Sequence, residues 1–305
     1  MGRIAFVFPG QGAQYPGMGK ELTEVSPAAA EVFRMADSIR PETSRQCFVG
    51  SEEELRETKI TQPCMFTVEL AAAAALEEKG IHADMAAGFS LGELAALTYA
   101  CVVDGSTTFN LVCSRGELMQ RAAEAADTAM AAVVRLDNET VEQLCAQFDG
   151  VYPVNYNCPG QVSVAGLKEK MPDFSAAVKA AGGRAIPLKV SGGFHSPFMA
   201  QAAEDFGKLL EQVDFKNPAV PLYSNRTGRP YEGDMKQLLA KQICSPVRWE
   251  SIIRHMIGEG VDTFIEVGPG STLCGLIAKI DRNVRTFSVC DAESLEKCVS
   301  EVKAC

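Results

Sequence analysis

Met85-Ala86-Ala87-Gly88-Phe89-Ser90-Leu91-Gly92-Glu93-Leu94-Ala95-Ala96 decides the fold. Met85 to Phe89 is an apolar run of strand length, and Leu91 to Ala100 has the composition of a helix. The G-x-S-x-G between them places Ser90 on a strand-to-helix turn. Such a turn is tight, and Gly88 and Gly92 leave room for it. The helix N-terminus behind it offers free N–H groups to a developing oxyanion. Ser90 is therefore a candidate nucleophile. Met85 to Val103 is apolar enough to suggest a membrane span, but Gly88, Ser90, Gly92 and Glu93 in its middle argue against one.

The neighbouring segments alternate in the same way. Ile4-Ala5-Phe6-Val7-Phe8 reads as a buried strand feeding the Pro9-Gly10 loop. Residues 62–79 read as a helix opened by Gln62-Pro63 and closed by Gly80. Residues 106–125 read as a helix carrying Arg115. The middle of the chain differs. Met130–Arg135 is strand-like, and Asn138–Gln147 is helical with Asp137 or Asn138 as its cap. Val151–Tyr156 and Gln161–Ala165 are strands joined by the turn Asn157-Cys158-Pro159-Gly160. Lys168–Ala181 is helical, stops at Gly182-Gly183, and leads into strand Arg184–Val190. This βαββαβ order is the split-βαβ, ferredoxin-like pattern. Phe264–Val267 and Thr286–Val289 add two late strands. The pattern predicts a large α/β domain with a small α+β domain inserted.

A serine needs a base. The chain has three histidines. His82 reads as a loop residue before a strand, and His255 lies in a helical stretch. His195 lies in Ser191-Gly192-Gly193-Phe194-His195-Ser196-Pro197, a glycine-rich loop at the end of the insert, where catalytic groups concentrate. The loop Pro9-Gly10-Gln11-Gly12-Ala13-Gln14 fails both phosphate-binding patterns. Tyr15 stands where a dinucleotide fingerprint needs glycine, and Gln14 and Glu21 break the P-loop. It remains a strand-end loop of N–H donors, placed where half of an oxyanion hole belongs.

The 305 residues are 47% hydrophobic, enough for one large or two smaller cores. A net charge of −10 excludes a general nucleic-acid binder. Glu52-Glu53-Glu54, the longest acidic cluster, reads as a solvated helix start. The 11 cysteines are odd in number, scattered and without C-x-x-C, which points to reduced thiols in a cytoplasmic setting rather than disulfides or a zinc site. No signal peptide is visible at the N-terminus.

Taken together, Phe8-Pro9-Gly10-Gln11-Gly12-Ala13-Gln14, Gly88-Phe89-Ser90-Leu91-Gly92-Glu93, Arg115-Gly116-Glu117-Leu118-Met119-Gln120, Asn155-Tyr156-Asn157-Cys158-Pro159-Gly160-Gln161, Gly193-Phe194-His195-Ser196 and Glu266-Val267-Gly268-Pro269-Gly270 resemble the motif series of malonyl-CoA:acyl-carrier-protein transacylases. The resemblance runs nearly end to end. It implies a hydrolase-like α/β domain with a parallel-sheet core over residues 1–127 and 193–305. A ferredoxin-like insert is implied over residues 128–192.

The resemblance also implies roles. Ser90 accepts the acyl group and His195 is its general base. The N–H groups of Gln11 and Leu91 form the oxyanion hole, and Arg115 binds the malonyl carboxylate. A backbone carbonyl near Pro246-Val247-Arg248-Trp249 orients His195. Phe194 occupies the position that goes with malonyl over methylmalonyl units. Gln62 stands beside the acyl pocket, and Asn155 and Asn157 order the loop around it. Phe89 departs from the family's usual Gly-His-Ser. The implied substrate is malonyl-CoA with no bound cofactor or metal, and the implied partner is an acyl carrier protein, with neither nucleic acid nor membrane. Arg184, Lys189, Lys279, Arg282 and Arg285 are candidate docking charges. Alternatives are a trans-acting polyketide loader, a serine thioesterase or esterase that an acidic partner for His195 would favour, and a non-catalytic docking subunit.

Overall fold

The computed structural model describes residues 2–190 and 192–304; Ser191 and Cys305, counted above in the glycine-rich loop and among the cysteines, lie outside them. Residues 4–8 are apolar throughout, which suits a strand covered on both faces. They fall in strand β1 (Arg3–Phe8), whose last four residues are fully buried. Beside it runs β2 (Met85–Gly88). Four strands follow in mid-chain: β3 (Thr128–Val134), β4 (Val151–Cys158), β5 (Gln161–Leu167) and β6 (Arg184–Pro187). Then come β7 (Leu222–Ser224), β8 (Arg229–Pro230), β9 (Val261–Val267) and β10 (Arg285–Val289).

These strands make two sheets. The larger has the order β10-β9-β1-β2-β7-β8 and is parallel except between β7 and β8. Alternation along β1 divides its core. Phe6 and Phe8 pack with residues of helices Thr58–Glu78, Gly92–Tyr99 and Gly105–Glu124. Ala5 and Val7 pack on the opposite side with Trp249, Ile253, Leu273 and Ile277 from helices Trp249–Gly258 and Thr272–Ile280. The smaller sheet is antiparallel, in the order β4-β5-β3-β6. Val133, Val162 and Val164 bury one of its faces against Val141, Phe174 and Val178 of helices Asn138–Cys145 and Met171–Ala180. Met130, Ala132 and Ser163, one residue out of phase, line a cavity instead. The fold is thus mixed α/β, with one parallel-dominated and one antiparallel sheet.

Several boundaries differ from the sequence reading. The helix expected to open at Gln62-Pro63 begins at Thr58, with Pro63 inside it at the cost of one helical hydrogen bond. Proline prefers the first helical turn, and that preference misplaces the start. The helix read over 168–181 is Met171–Ala180, and the strand read over 184–190 stops at Pro187. The patternless stretch from Arg40 to Glu57 forms helix Thr43–Val49 and a short 3-10 turn, Glu54–Arg56. Glu54 is not a freely solvated helix start, since Gln46 Nε2 donates to it at 2.9 Å. All ten described cysteines are free thiols. Among the described residues, no helix is long and apolar enough to cross a membrane.

Candidate active site

Strand register brings the first two loops together. Phe8 pairs with Gly88 across β1 and β2, so the loops leaving their carboxyl ends emerge side by side. The Phe89 N–H donates to Phe8 O at 2.8 Å. The glycines of G-x-S-x-G are required by close approach. A Cβ on Gly88 would lie 1.8 Å from the Gly92 carbonyl carbon, and one on Gly92 would lie 2.2 Å from Phe8 O. Ser90 itself sits at φ 55, in the left-handed region. Asn225 braces it: the Ser90 N–H donates to Asn225 Oδ1 at 2.7 Å, and Asn225 Nδ2 donates to Gly88 O at 2.5 Å.

Ser90 Oγ lies 2.7 Å from His195 Nε2. His195 Nδ1 lies 2.9 Å from Gln242 O. A carbonyl only accepts, so Nδ1 carries the proton and Nε2 is left as the acceptor facing Ser90. Burial pushes His195 down to about 4, with Arg115 adding to the effect and the Gln242 carbonyl opposing it. The imidazole is therefore a neutral base at neutral pH. The orienting carbonyl, expected near the segment 246–249, is that of Gln242, four residues before it. Gln242 ends helix Met235–Gln242, where carbonyls lack helical partners. Val247 and Arg248 are otherwise engaged: Val247 bonds β4 at Val154 and Tyr156, and the Arg248 N–H donates to Asn225 O.

Arg115, from helix Gly105–Glu124, is 1% exposed. Its Nη1 donates to Gln62 Oε1 at 2.8 Å and its Nη2 to Gln242 Oε1 at 2.9 Å; Nη2 is also 3.5 Å from Ser90 Oγ. Its Nε is buried without a partner. Burial lowers Arg115 to about 10 and the Glu93 carboxylate opposes that shift, so the guanidinium stays cationic. Both of its side-chain amide partners are neutral. A buried cation held this way is costly until an anion reaches it.

All nine sequence-predicted site residues line one cavity of about 260 Å³: Ser90, His195, Gln11, Leu91, Arg115, Gln62, Phe194, Asn155 and Asn157. Gln11 Nε2 donates to Thr58 Oγ1 at 3.3 Å. Leu91 stands at the start of helix Gly92–Tyr99. The Asn155 backbone bridges to Val247, tying the small sheet to the segment that leads into helix Trp249–Gly258. Phe89 packs edge-on against Trp249, with centroids 5.4 Å apart. Lys279 reaches Gln161 at the cavity wall, and Lys189 lies between the lining residues Leu188 and Val190. Arg285 instead donates to Thr263 in the large sheet. His82 is exposed, and His255 bonds the Tyr223 hydroxyl; neither lines the cavity. Among the described residues, no group of three potential ligands could hold a metal ion.

Sequence reasoning missed the supporting network. Gln242 Nε2 donates to Ser90 O at 2.6 Å and to Glu93 Oε2 at 2.9 Å, and the Tyr231 hydroxyl donates to Glu93 Oε1. Glu93 had one signal, a carboxylate inside an apolar helix. Gln242 and Asn225 had none, being neutral residues far away in sequence.

The acyl transferase domain family model matches residues 5–297. The chain is 41% identical over 311 residues to the malonyl CoA-acyl carrier protein transacylase of Bacillus subtilis, covering 99% of this chain and 98% of that one. The crystal structure of the Clostridium perfringens malonyl CoA-acyl carrier protein transacylase superposes with a TM-score of 0.96 at 35% identity, covering 99% and 98%. A malonyl-transacylase solved in complex with its type II PKS acyl-carrier protein gives 0.94 at 35% identity, covering 98% and 99%.

Proposed function

The chain belongs to the acyl transferase domain family, and on that premise we propose that it moves a malonyl group from malonyl-CoA to the phosphopantetheine thiol of an acyl carrier protein, supplying fatty-acid chain elongation. The observation that carries the reading is Arg115: a buried guanidinium with only neutral side-chain amide partners, beside the nucleophile in a cavity. Arg115 has no carboxylate in direct contact, Gln242 standing between it and Glu93, and a malonyl carboxylate can pair with it bidentately.

His195 Nε2 takes the Ser90 proton as Oγ attacks the thioester carbonyl. The N–H groups of Gln11 and Leu91 hold the oxyanion, a contribution of about 3 kcal/mol for one such donor. His195 then gives the proton to the departing CoA sulfur, leaving malonyl on Ser90. The carrier-protein thiol reverses these steps, with its own proton returning through His195 to Ser90. Acyl transfer between thiols is nearly thermoneutral, so the task is kinetic: to keep water from the ester. Phe194 closes the acyl pocket around a small unit. The esterase reading predicts an acidic partner for His195, and the partner here is the Gln242 carbonyl.

The finer fold reading is part of the same proposal: a hydrolase-like domain over 1–127 and 193–305 and a ferredoxin-like insert over 128–192. The β4-β5-β3-β6 order, with helices after β3 and β5, supports the insert. The deciding experiment is intact-mass spectrometry after brief mixing with malonyl-CoA. The expected result is a malonyl adduct that Ser90→Ala abolishes and added acyl carrier protein discharges. Free CoA accumulating without an adduct would instead mean a hydrolase.

A further inference from the structure

The transfer chemistry gives Glu93 no role, yet it is held inside the catalytic network. It is fully buried near the start of helix Gly92–Tyr99. Its Oε1 accepts from the Tyr231 hydroxyl and from the Asn225 N–H at 3.2 Å. Its Oε2 accepts from Gln242 Nε2 at 2.9 Å. That nitrogen also donates to Ser90 O, so both of its hydrogens are used, and Gln242 Oε1 is left to accept from Arg115. One amide thus relays between a buried carboxylate and a buried guanidinium.

In the empty site an ionised Glu93 offsets the charge of Arg115. A malonyl carboxylate arriving at Arg115 adds a second negative charge to the same low-dielectric volume. A surplus buried charge costs more than shifting a proton. Neutral Glu93 has its bonds at hand. The Tyr231 oxygen can accept from a protonated Glu93, and the Tyr231 hydroxyl can turn to Ser224 Oγ beside it, which is buried and otherwise unpartnered.

We propose that Glu93 is the resident counter-ion of Arg115 and takes up one proton from solvent when the malonyl group binds, so that loading and unloading of the site are linked to proton uptake and release. This rests on the reading of Arg115 as partner of the malonyl carboxylate. The protons balance. The Ser90 proton leaves on the CoA thiol through His195. The Glu93 proton comes from water and returns there when malonyl departs. No group is oxidised or reduced. Burial, opposed by hydrogen bonds from Tyr231, Asn225 and Gln242 and by the charge of Arg115, pushes Glu93 up to about 7 in the empty site, where it can respond. The ionisable groups facing it are Arg115 from helix Gly105–Glu124 and Tyr231 after β8, with His195 behind Gln242.

The test is calorimetric titration of Ser90→Ala with malonyl-CoA in buffers of different ionisation enthalpy, with acetyl-CoA as the control that carries the same phosphates. At pH 7.5 the excess uptake for malonyl-CoA should be at most about three quarters of a proton per site, shrinking towards none near pH 5.5, where Glu93 is already neutral. Glu93→Gln added to Ser90→Ala should abolish the excess. Should that variant not fold, Tyr231→Phe should reduce the excess, because losing a hydrogen bond that keeps Glu93 ionised leaves the carboxyl more neutral in the empty site. Selective malonyl binding without uptake overturns the proposal. So does uptake that persists in Glu93→Gln, which assigns the proton to His195. Equal binding of malonyl-CoA and acetyl-CoA overturns the Arg115 reading, and this proposal with it.

Discussion

At the residue scale the site is set by who bonds to whom. Arg115 has neutral side-chain amide partners and an idle Nε, with no carboxylate in direct contact, which is the basis for proposing it as the malonyl-carboxylate partner. Arg115→Ala should lose malonyl transfer and gain relative activity with acetyl-CoA; equal losses with both donors would remove the carboxylate role. His195 gives a second expectation. Its folded value is depressed to about 4, so the neutral base persists well below the ordinary histidine range and is lost only as pH falls towards that value. The acid limb of kcat/KM for malonyl-CoA should therefore lie well below pH 6, apart from any fall above pH 7 that Glu93 imposes, and an acid limb near 6.5 would contradict a buried base. Ser90 and His195 were legible in the sequence because a nucleophile elbow has a spacing and the histidines were few. Gln242 was not, because what it offers His195 is a backbone carbonyl, which every residue has.

At the element scale the strand-to-helix turn depends on two glycines for different contacts. Gly88 faces the Gly92 carbonyl carbon at 1.8 Å from its absent Cβ. Gly88→Ala should destabilise the fold by about 3 kcal/mol and abolish the acyl-enzyme, measured by urea unfolding and intact mass. Gly275 is the contrast, since a Cβ there meets nothing within 4 Å inside helix Thr272–Ile280. Gly275→Ala should stabilise the protein by about 1 kcal/mol, and a loss would mean that the helix needs that freedom. The elements read well from sequence were those with strong periodicity or punctuation, such as the strand over 4–8 and the turn at Pro159-Gly160. Those read poorly lacked it. Helix Thr43–Val49 is seven residues long, and β8 is two, too short to show a period.

At the scale of the whole molecule the cavity is made by two sheets, one from each part of the chain. The acidic chain has to present basic groups locally to an acidic carrier protein. Of the candidate charges, Lys279 bonds the cavity-lining Gln161 and Lys189 is exposed between the lining residues Leu188 and Val190, while Arg285 is engaged with Thr263. Lys189→Glu with Lys279→Glu should raise the KM for the carrier protein while leaving acylation by malonyl-pantetheine, which lacks the CoA phosphates, near its original rate. An unchanged carrier-protein KM would place docking elsewhere. The sequence by itself determined the alternation of strands and helices, the βαββαβ order of the middle segment, a serine on a strand-to-helix turn and a histidine in a glycine-rich loop, because periodicity, glycine spacing and scarcity are all local properties. Only the tertiary structure decided that Gln242, Asn225, Tyr231 and Glu93 brace that pair and flank Arg115. Their neutral amides, phenol and carboxylate carry no local pattern, and they acquire a partner only when β2, β7 and helix Met235–Gln242 are packed together.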